Sequence, residues 1–300
     1  MASDLDEESE QTRPAPAESK RQSAHRAAAD ITVVASRTRV QDPGTAVTVI
    51  SREEIARLPV RALPELLQWL AGVDVQRRGV EGVQADIGIR GADFNGTLIL
   101  VDGEAVNDPQ TNHHSANLDV PLEAVERVEI LYGGASSMYG SGAVGGAINI
   151  VTRGADLKRA RAQVEGRYTK GSHSLDSGGV RLASRITDSA AVSLDWNRSE
   201  SSGFRDDTEF STNTLRFSGR LDTSRGPVTL TLGYATRDFG AYAFYGTTFP
   251  NQQESTRTQT GRLAAELNFG KWTVTPSVAI RDHHDDFILD RNRPAFYRNI

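Results

Sequence analysis

Hydrophobic positions in this 300-residue chain follow two different periods, and the change falls near Arg153. Before it, Leu63, Leu66, Leu67 and Leu70 recur at i, i+3, i+4 and i+7, the apolar stripe of a helix. Pro64 suits that helix's first turn, and Gly72 supplies a left-handed stop. Upstream, Ser51-Arg-Glu-Glu54 forms a capping box that predicts a short helix after the β-branched run 47–50. Brief strand-like segments follow at 73–76, 87–90 and 97–101, the last closed by the turn pair Asp102-Gly103, and then at 125–132 and 147–152. Together they predict a small mixed α/β unit with Leu66, Leu67, Trp69, Leu70 and Leu100 in its core.

After Arg153 the period becomes two. Val180, Leu182 and Ile186 oppose Arg181 and Arg185, and Val192, Leu194 and Trp196 oppose Ser193, Asp195 and Asn197. Leu215, Phe217 and Leu221 oppose Arg216, Ser218 and Arg220, and the same alternation runs through 164–168, 228–234, 263–269 and 272–281. About seven strands result, each near the 9 to 11 residues of a tilted membrane strand. A soluble sandwich alternates too. However, the short connections at 187–190, 223–226 and 270–271 take turns with longer ones at 171–177, 200–211 and 238–258, as in an outer-membrane barrel. The polar set holds Arg181, Arg185, Asp195, Arg216, Arg220, Glu266 and Arg281, too charged for a dry core but suited to a lumen that another domain fills. The fold expected is therefore an α/β plug followed by an incomplete antiparallel transmembrane β-barrel.

Composition narrows the function. Apolar runs reach only about five or six residues against the roughly 20 of a membrane helix. The absence of cysteine removes disulfides, thiolate metal sites and cysteine nucleophiles. With a formal charge of −5 and its 34 Lys and Arg spread along the chain, no basic stripe suits nucleic acid. Residues 1–29 combine acidic residues, Ser, Ala and Pro without apolar periodicity and are expected to be a disordered leader. No apolar run of a secretory signal occurs there, so a signal is expected upstream or already removed.

Gly140-Ser-Gly142-Ala-Val-Gly145 matches the dinucleotide fingerprint in form, but alternating β-branched residues follow where a helix must open. The glycines fit close backbone approach instead. No GxSxG, HExxH or P-loop motif occurs, and no enzyme activity is expected. His113-His114 invites a metal reading, but neighbours on an extended chain point apart, which favours polar or ligand contact. His283-His284-Asp285-Asp286 and Asp206-Asp207 are expected in long loops. Asp206, Asp207 and Glu209 are weak calcium candidates, and no other metal or cofactor is expected. Asp30-Ile-Thr-Val-Val-Ala-Ser36 is either the first edge strand or an exposed strand for a partner's sheet edge.

These segments resemble the TonB-dependent outer-membrane receptors. Asp30, Ile31, Thr32, Val33, Val34, Ala35 and Ser36 resemble the TonB box. Leu70-Ala-Gly-Val-Asp-Val75, Ile89-Arg-Gly91, Leu98-Ile-Leu-Val-Asp-Gly103, Val125-Glu-Arg-Val-Glu-Ile-Leu-Tyr-Gly133 and Tyr139-Gly-Ser-Gly-Ala-Val-Gly-Gly-Ala-Ile-Asn-Ile-Val151 resemble the plug, and within the family the cobalamin and siderophore receptors are nearest. The resemblance implies a plug at 37–153, a barrel from 154 to 300, a place in the bacterial outer membrane, and energised uptake of a metal chelate with no covalent chemistry. The implied partners are TonB of the TonB-ExbB-ExbD system, the chelate and outer-membrane lipid. It also implies ligand contacts at the plug apex from Arg77, Arg78, Phe94, Asn95, Asn112, His113 and His114, with Tyr242, Phe244 and Tyr245 from the third long loop. A family barrel of 22 strands needs about 440 residues at about 20 per strand and loop, so the chain is expected to be about one third of a barrel, a fragment or truncated product. The alternative is a secreted or surface β-rich binding or adhesion module without energy coupling. A sensor signalling through its N-terminus is a third reading, disfavoured because the leader is too short for a folded signalling domain.

Overall fold

The computed structural model describes residues 46–79, 83–108, 112–133, 142–155 and 161–299, all within a single compact unit spanning Thr32–Ile300. The segment 30–36 and the leader lie outside the described residues.

Strand β1 (Ala46–Ser51) runs into helix α1 (Arg52–Ile55) through the expected capping box. The Ser51 hydroxyl accepts from the Glu54 amide at 3.3 Å, and the Glu54 carboxylate accepts from the Ser51 amide at 2.9 Å. Helix α2 (Leu63–Gln68) carries Pro64 in its first turn and buries Leu63, Leu66 and Leu67. Trp69 caps it and is 59% exposed. That corrects its assignment to the core: the buried stripe of Leu63, Leu66, Leu67 and Leu70 skips position 69, whose side chain points away from it. Gly72 takes the left-handed conformation expected of it, with φ of 76°.

Strands β2 (Val73–Arg77) and β3 (Ala85–Ile89) pair as a hairpin. Next come β4 (Thr97–Val101), β5 (Glu104–Ala105), β6 (Val125–Tyr132) and β7 (Gly146–Thr152), which join β1 in a sheet ordered β1-β6-β7-β4-β5. Only β4 and β7 run parallel, with Thr97 beside Gly146 and Val101 beside Ile150. Residues 146–152 form a strand, where the dinucleotide fingerprint needs a helix to open. The main core packs Leu66, Leu67 and Leu70 against Ile130, Ile148 and Ile150, while Leu100 joins Leu98, Leu131 and Ala147 on the other side of the sheet.

Beyond the plug, β8 (Ala162–Lys170), β9 (Asp176–Arg185), β10 (Ala190–Ser201), β11 (Phe210–Thr223), β12 (Gly226–Gly240) and β13 (Gln253–Ala265) form an antiparallel meander. A small hairpin of β14 (Leu267–Phe269) and β15 (Trp272–Val274) follows. The meander ends with β16 (Ser277–Ile288) and the short β17 (Arg298–Asn299). Pro276, which lacks an N–H, separates β15 from β16 where the sequence reads as one strand. Four-residue or shorter turns at 186–189, 224–225 and 270–271 close one end, and the connections 171–175, 202–209, 241–252 and 289–297 close the other. The strands run further than expected at the long-loop end. His283-His284-Asp285-Asp286 lies within β16, not in a loop, because a polar run can be a strand when its inward face meets polar protein.

The two faces of the meander settle the choice between barrel and sandwich. Leu182, Leu194, Trp196, Leu230, Leu232, Leu263, Val278 and Ile280 are exposed on one face, a row suited to lipid. The charged face is buried against the plug: Arg181, Asp195, Arg216 and Arg237 are all under a tenth exposed.

Candidate functional site

Plug and wall meet through ions. Arg216 reaches inward from β11 with its Nη1 3.1 Å from the Asp119 carboxylate and its Nη2 3.0 Å from Asp102. Thr260 donates to the same Asp119 oxygen at 2.6 Å. Arg237 donates to the Leu118 carbonyl at 2.7 Å, Arg262 pairs with Glu104 at 3.3 Å, and Arg167 pairs with Glu123 at 2.8 Å. Glycine makes this closeness possible. A Cβ at Gly233 would collide with the Asp119 carboxylate, and one at Gly179 with Glu123. After β7, the Gly154 carbonyl accepts from Arg181 at 2.6 Å and Ser193 at 3.0 Å.

Toward the long-loop end the plug carries an aromatic and polar cluster. Arg78 donates to the Phe244 carbonyl at 2.8 Å, lies over the Tyr245 ring at 5.4 Å, and faces Asp86 at 3.8 Å. His113 Nδ1 lies 2.9 Å from Asp86, and its ring is 4.5 Å from that of Phe94. Asn112 donates to the Phe94 carbonyl at 2.7 Å and takes the left-handed conformation, φ 61°. The Tyr245 hydroxyl meets Gln84, and burial pushes its ionisation above the ordinary phenol range. So Arg78, Phe94, Asn112, His113, Phe244 and Tyr245 form one contiguous network. Asn95 is exposed in the turn beside Phe94, its amide bonded to Asp93.

Three residues named from sequence lie apart. Arg77 pairs with Glu65 of α2 at 3.5 Å, and Tyr242 sits under Arg205, 3.5 Å from its guanidinium carbon. His114 turns away from His113 within the turn 113–116, where strand alternation does not apply. It lies between Glu254 of β13, 3.6 Å from Nδ1, and Asp285 of β16, 3.5 Å from Nε2. Burial works against its protonation, yet Asp285 and Glu254 outweigh burial and hold His114 above the usual imidazole range.

The calcium candidates do not assemble. Arg291 takes both Asp207, at 3.2 Å, and Glu209, at 2.5 Å, supplying the positive charge from the chain itself, while Asp206 is exposed. Among the described residues the one set of three close potential metal ligands is His114, Glu254 and Asp285. Asp86, Gln84 and Glu254 were not singled out from sequence, and Asp285 was expected in a loop. The available signal was parity: Glu254, Thr256 and Thr258 fall on the buried side of β13, as His283, Asp285 and Phe287 do in β16.

Comparison with known proteins agrees with this architecture. Residues 39–147 match the TonB-dependent receptor plug domain. The vitamin B12 transporter BtuB of Vibrio cholerae is 36% identical over 141 residues, covering 47% of this chain and 22% of that protein. The iron-regulated outer membrane virulence protein of the same species is 39% identical over 120 residues, covering 38% of this chain and 18% of that protein. The chain thus spans about a fifth of the length of these relatives, 22% and 18%. In fold, it matches the siderophore receptor PiuA of Acinetobacter baumannii with a TM-score of 0.66 at 18% identity, over 81% of this chain and 37% of that one. The unliganded ferric citrate transporter FecA also gives 0.66 at 18% identity, over 82% and 41%. Residues 39–147 are therefore a TonB-dependent receptor plug domain, and with an ion-lined inner wall and a lipid-suited outer face the chain has the fold of the plug and wall of such receptors.

Proposed function

We propose that the chain serves energised uptake of a metal chelate, of the cobalamin or ferric-siderophore class, across the outer membrane. The observation that carries this reading is the ionic junction of plug and wall. Arg216, Arg237, Arg262 and Arg167 each bind a plug group, so the plug is held against the wall. Each charge-assisted bond contributes about 1.5–3 kcal/mol, so displacing the plug requires work. TonB of the TonB-ExbB-ExbD system would supply it by pairing with Asp30 to Ser36 through main-chain hydrogen bonds. In this reading the plug spans 37–153 and the wall begins at 154. The cluster of Arg78, Phe94, Asn112, His113, Phe244 and Tyr245 receives the ligand, since aromatic faces with a few polar groups suit a bulky, partly apolar chelate.

The test separates binding from transport in cells that carry the complete receptor. Val33→Pro removes an amide hydrogen and fixes φ. It should abolish accumulation of labelled cobalamin or ferric siderophore while surface binding stays within about twofold, because coupling and binding use different sites. Val33→Thr, which keeps the amide and β-branching, should transport almost normally. Transport by Val33→Pro at the parent rate, or parallel loss of binding and uptake, would refute energy coupling through this segment.

A further inference from the structure

The junction of plug loop 112–117 with β13 and β16 buries a set of groups that the chelate-uptake reading leaves unused. Glu254 is 1% exposed, and neither of its carboxylate oxygens has a hydrogen-bond partner among the described residues. The same holds for Asp285 Oδ1 and His283 Nε2. Leaving a buried carboxylate without donors is unfavourable. Both carboxylates flank one imidazole. His114 stands 3.6 Å from Glu254 and 3.5 Å from Asp285, and one ligand atom from each of the three residues lies within 4.8 Å of the others.

We propose that His114, Glu254 and Asp285 form a binding site for one divalent transition-metal ion of the zinc class, joining the plug loop to two strands of the wall. Tetrahedral bonds of about 2.0–2.1 Å place ligand atoms roughly 3.3 Å apart; the 3.5 Å from His114 Nε2 to Asp285 approaches that, and Glu254, now nearest Nδ1, completes the set by turning toward the same nitrogen. Two carboxylates balance the ion's charge, and the imidazole nitrogen selects zinc over calcium, which takes oxygen ligands. Asn117 lies 3.1 Å from His114 Nδ1, and with its amide oxygen turned to that atom it accepts from Nδ1–H and leaves Nε2 for the ion.

The site is independent of whether the chain moves a chelate, and its test uses zinc chloride alone. Calorimetric titration of the complete receptor, purified in detergent, should show one zinc ion bound per chain, with millimolar calcium unable to displace it. Glu254→Gln and His114→Ala should each weaken binding at least tenfold. His284→Ala, one residue along β16 on the exposed face, should leave it unchanged. Each variant is first checked for the heat-modifiable gel migration of a folded barrel, and Asp285→Asn reads the same loss if Glu254→Gln does not fold. The proposal is overturned if the parent binds no zinc, if calcium competes at equal concentration, or if the folded ligand variants bind like the parent.

Discussion

Gly233 offers a test in which two readings of the molecule predict opposite signs. It lies in the middle of β12, flanked by Arg216 on β11 and Thr260 on β13, and all three converge on the Asp119 carboxylate of the plug. Considering the sheet alone, Gly233→Ala should stabilise by about 0.5–1 kcal/mol, since glycine loses more freedom on folding than alanine. With the plug seated, the added methyl occupies the place of an Asp119 oxygen. Overpacking of this kind costs about 1–3 kcal/mol, and displacing the carboxylate weakens a charge-assisted bond of about 1.5–3 kcal/mol. The net expectation is a loss of about 2–5 kcal/mol. Asp119→Ala removes the obstruction, so in that background Gly233→Ala should become neutral or gain the half to one kcal/mol of the bare sheet. The measurement is a double-mutant cycle by urea titration of the folded receptor in detergent micelles, followed by tryptophan fluorescence and gel migration. Distant, independent sites add to within about 0.5 kcal/mol. If Gly233→Ala has the same effect in both backgrounds within that margin, Asp119 does not seat against β12 and the plug-filled lumen is wrong.

In the plug itself, Leu67→Ala should destabilise by about 2–5 kcal/mol, because Leu67 is 1% exposed within the main core. Trp69→Ala should change stability by about 0.5 kcal/mol or less; chemical denaturation compares the two, and a larger effect at Trp69 would contradict its exposed position. Ser51→Ala should cost about 1 kcal/mol through the lost cap of α1, read as earlier hydrogen exchange at the Glu54 amide. Arg78→Ala frees the Phe244 carbonyl and uncovers Tyr245, so chymotrypsin should cut the 241–252 connection several-fold faster, with unchanged cleavage arguing that Arg78 does not anchor it.

How much of this was legible depends on what each position packs against. The alternation in β9 to β13 could be read because lipid on one side demands apolar residues, leaving Leu182, Leu194 and Leu232 in register regardless of the other face. The inward face obeys no such rule: its partner is a folded plug, so Arg216, Thr258 and His283 are all acceptable there. That is why His283 to Asp286 looked like a loop. In the plug, the capping box and the Asp102-Gly103 turn are local, set by contacts within a few residues, and both form with φ of 51° and 83° at the turn. The stripe of Leu63, Leu66, Leu67 and Leu70 skips Trp69, and its exposure follows from that spacing. His113-His114 shows the other limit. The two rings part within a turn and not on an extended chain, and only the tertiary structure gives each a different carboxylate, Asp86 for one and Glu254 with Asp285 for the other.

The chemistry of the junction bears on why a plug of this kind can be moved at all. Had Asp119, Asp102, Glu104 and Glu123 met leucines and valines, separating plug from wall would expose apolar surface at about 25 cal/mol per Å², and entering water would recover none of it. Between arginine and carboxylate the balance differs. Removing both charges from water offsets much of their attraction, so a buried pair adds little net stability, although losing one partner alone is severe. When the two halves part together and water follows, each guanidinium and each carboxylate is solvated again. The wall therefore holds the plug firmly against the loss of any single contact, yet releases it at far smaller net work when the whole junction is wetted at once. Arginine suits this better than lysine, because its planar fork lets Arg216 hold Asp119 and Asp102 simultaneously, tying two plug segments to one strand. Under the proposed uptake reading, the same contacts that hold the plug against the wall at rest are what allow a pull on the N-terminal segment to release it.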